Sequence, residues 1–418
     1  MKKQQNNLYF NKLYNSKSDF YDTLLYQYNS CIYSYGNHLK ENVKNFKRNY
    51  RSIIYRLFSL CFLLRKKTER GKFYLNNSYV DLNLPLLKPC LPPWCISFKK
   101  EVYLERKLSD IIFKMFRTIE KQSIKLLVSA EFEGLLKEYS KEFGKMIVND
   151  KLSFLMVPND MSLFENLTIK VCQDNNIPTF VYLHGLPARF NLIDDNRADF
   201  LIVWGKGLKN SYVNAGFNPD KILTIKHPLY SNFKLDRLRS NLKDVLVITK
   251  AMPGAPISSL EMILTDRSNS LYYVESVKQI LLKLGVQSAR LRLHPSENPS
   301  FYNENLTDDF YTIDSLDKTS SLNNSTLVVG PTSTMLLDAL KHNVNYILYD
   351  PVINSKTLDF EQQLVAPFDG SSFINLSLTI EDFTENIFNP NSNVSEDILN
   401  EYLNIDDHDY KRFLEIVA

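Results

Sequence analysis

The chain has 418 residues, 44% of them hydrophobic and 23% charged, a balance that excludes intrinsic disorder and leaves room for two or three domains of ~100 to 200 residues. Its longest apolar run, Leu57 to Leu64, is broken by Ser59 and falls far short of the roughly 20 residues a bilayer-spanning helix needs, so no transmembrane span is expected. The net charge of +3 hides an asymmetry: Lys40 to Lys72 holds eleven Lys or Arg against Glu41 and Glu69, whereas Pro351 to Ala418 holds three basic and thirteen acidic residues.

The opening MKKQQNNLYF lacks the apolar core and small-residue cleavage site of a signal peptide, so a cytoplasmic protein is expected. The basic segment that follows interleaves its charges with Phe46, Tyr50, Ile53, Leu57 and Leu64 at roughly helical spacing. It reads equally as an amphipathic helix lying on an anionic inner membrane and as one packed on a domain with a solvated basic face. No nucleic-acid module accompanies it, so no nucleic-acid partner is expected. Cys31, Cys61, Cys90, Cys95 and Cys172 lack the C-x2-C spacing of structural zinc sites and read as buried free thiols.

From residue 120 onward, short aliphatic runs alternate with helical stretches. Strands are expected at Ile124 to Ser129, Leu152 to Val157, Thr179 to Leu183, Phe200 to Trp204 and Ile222 to Ile225, then at Val245 to Ile248, Ala289 to Leu293, Leu327 to Val329 and Tyr346 to Tyr349. Near-continuous apolar runs of this length are what a parallel sheet covered on both faces requires. Helices fit Ser162 to Asn175, Gly207 to Ala215, Tyr272 to Leu284 and Thr334 to His342, a linker fits Leu229 to Lys243, and two acidic helices close the chain. The expected organisation is a helical, basic extension over 1–100, one doubly wound α/β domain over 101–235, a second over 236–385, and a helical tail over 386–418. Ligands in such sheets bind outside the carboxyl ends of the strands, so chemistry is sought there.

Four strand ends carry unusual residues. After Leu152 to Val157 come Asp160, a helix cap or a cleft carboxylate, and Glu165. Thr179 to Leu183 runs into His184-Gly185-Leu186-Pro187, which puts an imidazole at a strand end beside a glycine that permits close approach. Ala289 to Leu293 ends in Arg292-Leu293-His294-Pro295, with Arg292 and His294 on one face, a charged pair suited to phosphate. Leu327 to Val329 leads through Gly330 and Pro331 to Thr332, Ser333 and Thr334 at a helix start, where free N–H groups and hydroxyls converge as in an anion site; an ordinary cap with incidental hydroxyls is the alternative.

R-L-H-P, G-P-T-S-T-M-L-L-D-A-L, V-Y-L-H-G-L-P and the stretch A-D-F-L-I-V-W-G-K-G-L between them resemble the GT-B glycosyltransferases of bacterial surface polysaccharides over roughly residues 120 to 350. The pattern is nearest to families using cytidine-nucleotide donors, namely Kdo and sialic-type transferases and CDP-glycerol polymerases. The resemblance implies a GT-B-like fold of two Rossmann-type domains facing a central cleft. It also implies transfer of a sugar acid, Kdo or a related nonulosonate, from a CMP donor to a lipid-linked or lipopolysaccharide glycan. Arg292, His294, Pro295, Thr332, Ser333 and Thr334 would hold the donor phosphate, and Asp160, Glu165 and His184 would serve catalysis.

In the polyol-phosphate polymerases the corresponding motif is H-G-T-P, and here Leu186 stands where Thr is usual. The acidic D/E-D/E-G motif of many sialyltransferases is absent before His184. The expected cofactors are none and the expected metal none, because no Asp-x-Asp pair falls at a strand end. A CDP-glycerol or CDP-ribitol transferase, and a non-enzymatic nucleotide- or lipid-binding protein on the same fold, stay open as alternatives.

Overall fold

The computed structural model describes residues 23–24, 72–75, 88–90, 106–121, 124–149, 151–160, 163–183, 185–186, 197–225, 227, 229–230, 235–250, 253–256, 263–265, 267–295, 297, 299–306, 308–353, 356–357, 376–390, 396–403 and 407–418. Strands β1 (Lys72–Leu75), β2 (Lys88–Cys90), β3 (Leu152–Val157), β4 (Thr179–Tyr182), β5 (Phe200–Val203) and β6 (Ile222–Thr224) form one sheet in the order β2-β1-β3-β4-β5-β6. Every pair in it is parallel.

The second half contributes β7 (Val245–Ile248), a hairpin of β8 (Pro253–Pro256) and β9 (Ile263–Thr265), then β10 (Ala289–Arg292), β11 (Tyr311–Ile313), β12 (Leu327–Gly330) and β13 (Tyr346–Tyr349). A short hairpin of β14 (Val352–Ile353) and β15 (Lys356–Thr357) and a last strand β16 (Leu376–Ser377) follow. The second sheet runs β11-β10-β7-β12-β13-β16, again parallel throughout. Setting the hairpins aside, this is the doubly wound order 3-2-1-4-5-6, and the order reverses between β7 and β12.

Period two explains how one sheet buries both faces. In β7, Val245 and Val247 turn to a core built with Tyr273, Val274, Val277 and Leu281 of the Arg267–Lys283 helix. Leu246 and Ile248 turn the other way, with Leu336, Leu337 and Leu340 of the Met335–Lys341 helix, into a cluster contiguous with the core of the first domain. The two α/β domains are therefore packed together through apolar side chains, in the GT-B-like manner expected.

Three elements differ from expectation. Ile124 to Ser129 is not a strand: Ile124–Leu127 is a helical turn, because Ile124, Leu127 and Val128 recur at helical spacing and Leu127 is buried beside the Ala130–Asn149 helix. The sheet instead takes β1 and β2 from before residue 100, where a helical extension was expected, and the aromatic pair in Lys72-Phe73-Tyr74-Leu75 suits a strand. The basic segment over 40–71 lies outside the described residues.

The acidic end of the chain returns to the first domain. Asp409, in the Asp407–Val417 helix, is buried; it accepts from Lys209 Nζ at 2.9 Å and from the Thr224 N–H and hydroxyl at 3.1 Å each. Phe413 stacks edge-on against Phe154 and Phe180. Gly205 lies so close to Tyr402 that an added Cβ would sit 2.3 Å from its carbonyl oxygen. Between the domains, Arg239 ties the crossing chain to the second one by donating to the carbonyls of Leu322, Asn323 and His342. No helix among the described residues is long and apolar enough to cross a membrane.

Candidate functional site

Asp160 follows β3 and is fully buried rather than set at a cleft mouth. Its Oδ2 accepts from the Arg197 backbone N–H at 2.7 Å, Arg197 Nη1 lies 3.9 Å from Oδ1, and Asn166 Nδ2 donates to its carbonyl at 3.3 Å. The carboxylate thereby anchors the segment that enters β5. Ser162, the helix position it was expected to cap, lies outside the described residues. Glu165 is half-buried in the first turn of the Leu163–Gln173 helix.

His184 and Pro187 lie outside the described residues, but the chain on either side of the histidine is described. The Leu183 carbonyl accepts from Trp204 Nε1 at 2.9 Å, which fixes the end of β4. Leu186 then donates its backbone N–H to Thr334 Oγ1 at 2.9 Å. That hydrogen bond joins Leu186 of the His-Gly-Leu-Pro motif in the first domain to Thr334 of the Thr-Ser-Thr turn in the second.

In the second domain the carboxyl ends of β7, β10 and β12 converge. Thr249, just after β7, donates its hydroxyl to Glu297 Oε2, and the His294 backbone N–H donates to the same two groups, at 3.2 Å to Thr249 and 3.0 Å to Glu297. Tyr302 donates to the other Glu297 oxygen at 2.6 Å, and burial together with that carboxylate holds its phenol well above the usual range. This network fixes the backbone of His294, whose side chain, like that of Pro295, is exposed.

Beside His294 opens a cavity of about 340 Å³, lined also by Arg292, Glu297, Ile313, Asp314 and Leu316. Arg292, expected to meet phosphate, pairs with Asp314: Nη1 donates to Asp314 Oδ2 at 2.7 Å and to the Leu316 carbonyl at 2.9 Å. Arg290 approaches the other Asp314 oxygen at 3.2 Å. Burial opposes ionisation of Asp314, but the Ser321 hydroxyl and the two guanidinium groups hold its carboxyl below the usual range. Arg292 and Asp314 thus shape the cavity wall, and two guanidinium groups share one carboxylate there.

At the end of β12, an added Cβ on Gly330 would lie 2.1 Å from the Tyr346 hydroxyl, so only glycine lets the strand pass. Thr332 is buried and accepts from Lys250 Nζ. The helix start takes part of its hydrogen bonding from within. Met335 N–H donates to Ser333 Oγ at 3.2 Å, Leu336 N–H to the Ser333 carbonyl at 3.1 Å, and Leu337 N–H to the Thr334 carbonyl at 3.0 Å, so these three donors are taken within the turn.

Lys250 is the residue that motif reading passed over. It stands two residues beyond β7, across from Thr332 after β12, at the crevice where the strand order reverses and where doubly wound sheets take their ligands. Its signal in the sequence was only its place after an apolar strand.

Comparison with known families finds no match, and comparison with curated proteins finds none. Among solved structures, the chain is similar to S. aureus MnaA in a co-structure with UDP, at 11% identity and a TM-score of 0.44, over 84% of this chain and 95% of that one. It is similar to the UDP-GlcNAc 2-epimerase of Neisseria meningitidis bound to UDP-GlcNAc, also at 11% and 0.44, over 82% and 98%. A third similarity is to the wall teichoic acid polymerase TagF, at 11% identity and 0.41, over 90% and 98%. At this level of likeness the fold rests on the strand orders described above.

Proposed function

We propose that the chain is a glycosyltransferase that moves a sugar acid, Kdo or a related nonulosonate, from its CMP donor to a bacterial capsule or lipopolysaccharide glycan. The observation that carries this reading is the Leu186 to Thr334 hydrogen bond, which brings two motifs of the GT-B resemblance to one cleft. The cavity beside His294 is large enough for a nucleoside, and Lys250, His294, Thr332 and Ser333 stand at neighbouring strand ends.

In the transfer, the bond between the anomeric carbon and the CMP phosphate oxygen breaks and its electron pair leaves with the phosphate. Fixed cations and hydroxyls at that point stabilise the developing charge. The acceptor hydroxyl forms the new bond and gives up its proton, a task that His184 or Glu165 would perform. Asp160 takes the role of anchor. Asp160→Ala should lower stability by about 3 kcal/mol, because a buried charge partner is lost. An unaltered denaturation midpoint with abolished transfer would return Asp160 to the chemistry.

A second reading, transfer of polyol phosphate from CDP-glycerol or CDP-ribitol, is favoured by the His-Gly-Leu-Pro turn taking part in the same contact. A mass-spectrometric screen of CMP and CDP donors decides. Release of CMP from sugar-acid donors supports the first reading, and turnover of CDP-polyols supports the second. Absence of turnover with every donor, and of CMP binding by titration, overturns both.

A further inference from the structure

A threonine at the start of a helix ordinarily caps it, its hydroxyl accepting from a backbone N–H one turn on. Thr334 occupies the position before Met335–Lys341 and makes no such bond, while the neighbouring Ser333 hydroxyl takes the Met335 N–H. The Thr334 hydroxyl instead accepts from a backbone N–H 148 residues away, in the other domain. The donor belongs to Leu186, a buried residue whose N–H needs a partner once water is excluded. The approach depends on the residue before it: a Cβ added to Gly185 would lie 2.9 Å from Thr334 Oγ1, tighter than ordinary contact allows.

We propose that Thr334 is a positioning residue, acting on the first domain through Leu186 and not on the donor. Its hydroxyl sets the Gly185-Leu186 segment just beyond the end of β4 that Trp204 fixes, so that this segment takes its working geometry only when the two domains are together. A turn held by one hydrogen bond from the opposite domain is assembled by domain approach and released by separation. Turnover is thereby tied to the relative position of the two sheets. This rests on the function proposed above in one respect, that the turn belongs to the reacting site.

The experiment compares T334V, which keeps the shape and removes the hydroxyl, with T334S, which keeps the hydroxyl, and with G185A, which crowds the approach. Hydrogen exchange at the Leu186 amide is the readout independent of activity. In T334V and G185A it should rise roughly tenfold, the loss of one net hydrogen bond, and in T334S it should match the parent protein. kcat should fall by a similar factor in T334V and recover in T334S, while CMP affinity stays the same in both. Unchanged Leu186 exchange in T334V overturns the proposal, as does a loss of CMP affinity without a change in exchange, which would make the hydroxyl a donor ligand. If the parent protein turns over no donor, the proposed function fails, and the exchange comparison still decides whether Thr334 holds the turn.

Discussion

The histidine after β6 and the histidine after β10 each precede a proline, and their surroundings are opposite. His227 is 3% exposed, with the Trp204 ring centroid 4.4 Å away, the Tyr230 ring stacked at 4.5 Å and the Tyr182 ring at 6.4 Å. Leu229 donates its N–H to His227 Nδ1 at 3.2 Å, so that nitrogen is unprotonated. Burial first, then the charges of Lys318 and Lys341, push the imidazole down to about 4. His294 is exposed on a polar cavity and is held through its backbone, by Thr249 and Glu297. A His-Pro pair after a strand therefore has no fixed surroundings, and the neighbouring side chains decide whether the ring is buried or exposed.

Replacing each ring with alanine separates the two roles. His227→Ala removes the centre of an aromatic cluster and should cost about 3 kcal/mol in chemical denaturation, comparable to other buried aromatic truncations, with CMP affinity in the folded protein unchanged. His294→Ala should do the reverse, leaving the denaturation midpoint in place and weakening CMP binding by about 1 to 3 kcal/mol, the scale of a hydrogen bond to a charged group. Equal stability losses in the two variants would erase the contrast.

Most of the strands that the sequence made legible are buried on both faces. Leu152–Val157 and Val245–Ile248 read as near-continuous apolar runs because helices cover both sides of each sheet. The edge strand Tyr311–Ile313 was not legible, since three half-exposed or exposed residues carry no such run. Within the site, His294 and the Thr332 to Thr334 turn announced themselves by motif. The partners of these groups did not: Asp314 lies one strand away from Arg292, and the Leu186 N–H that meets Thr334 is a backbone group, with no side-chain signature to read. Sequence gives the residues at strand ends, and only the packing of strands gives their partners.

The comparison extends to pH dependence. A free histidine titrates at about 6.5, while His227 in the folded protein is pushed down to about 4. Between these values the unfolded chain takes up a proton that the folded protein refuses, so stability falls as pH drops through this window. Above about 6.5 the contribution is constant, and below about 4 this group adds no further loss. His227→Phe keeps an aromatic ring beside Trp204 and Tyr230 but cannot titrate, so its melting temperature should decline less steeply than that of the parent protein between pH 6.5 and 4. Parallel declines in the two proteins would assign the acid sensitivity to other groups and leave His227 as a packing residue alone.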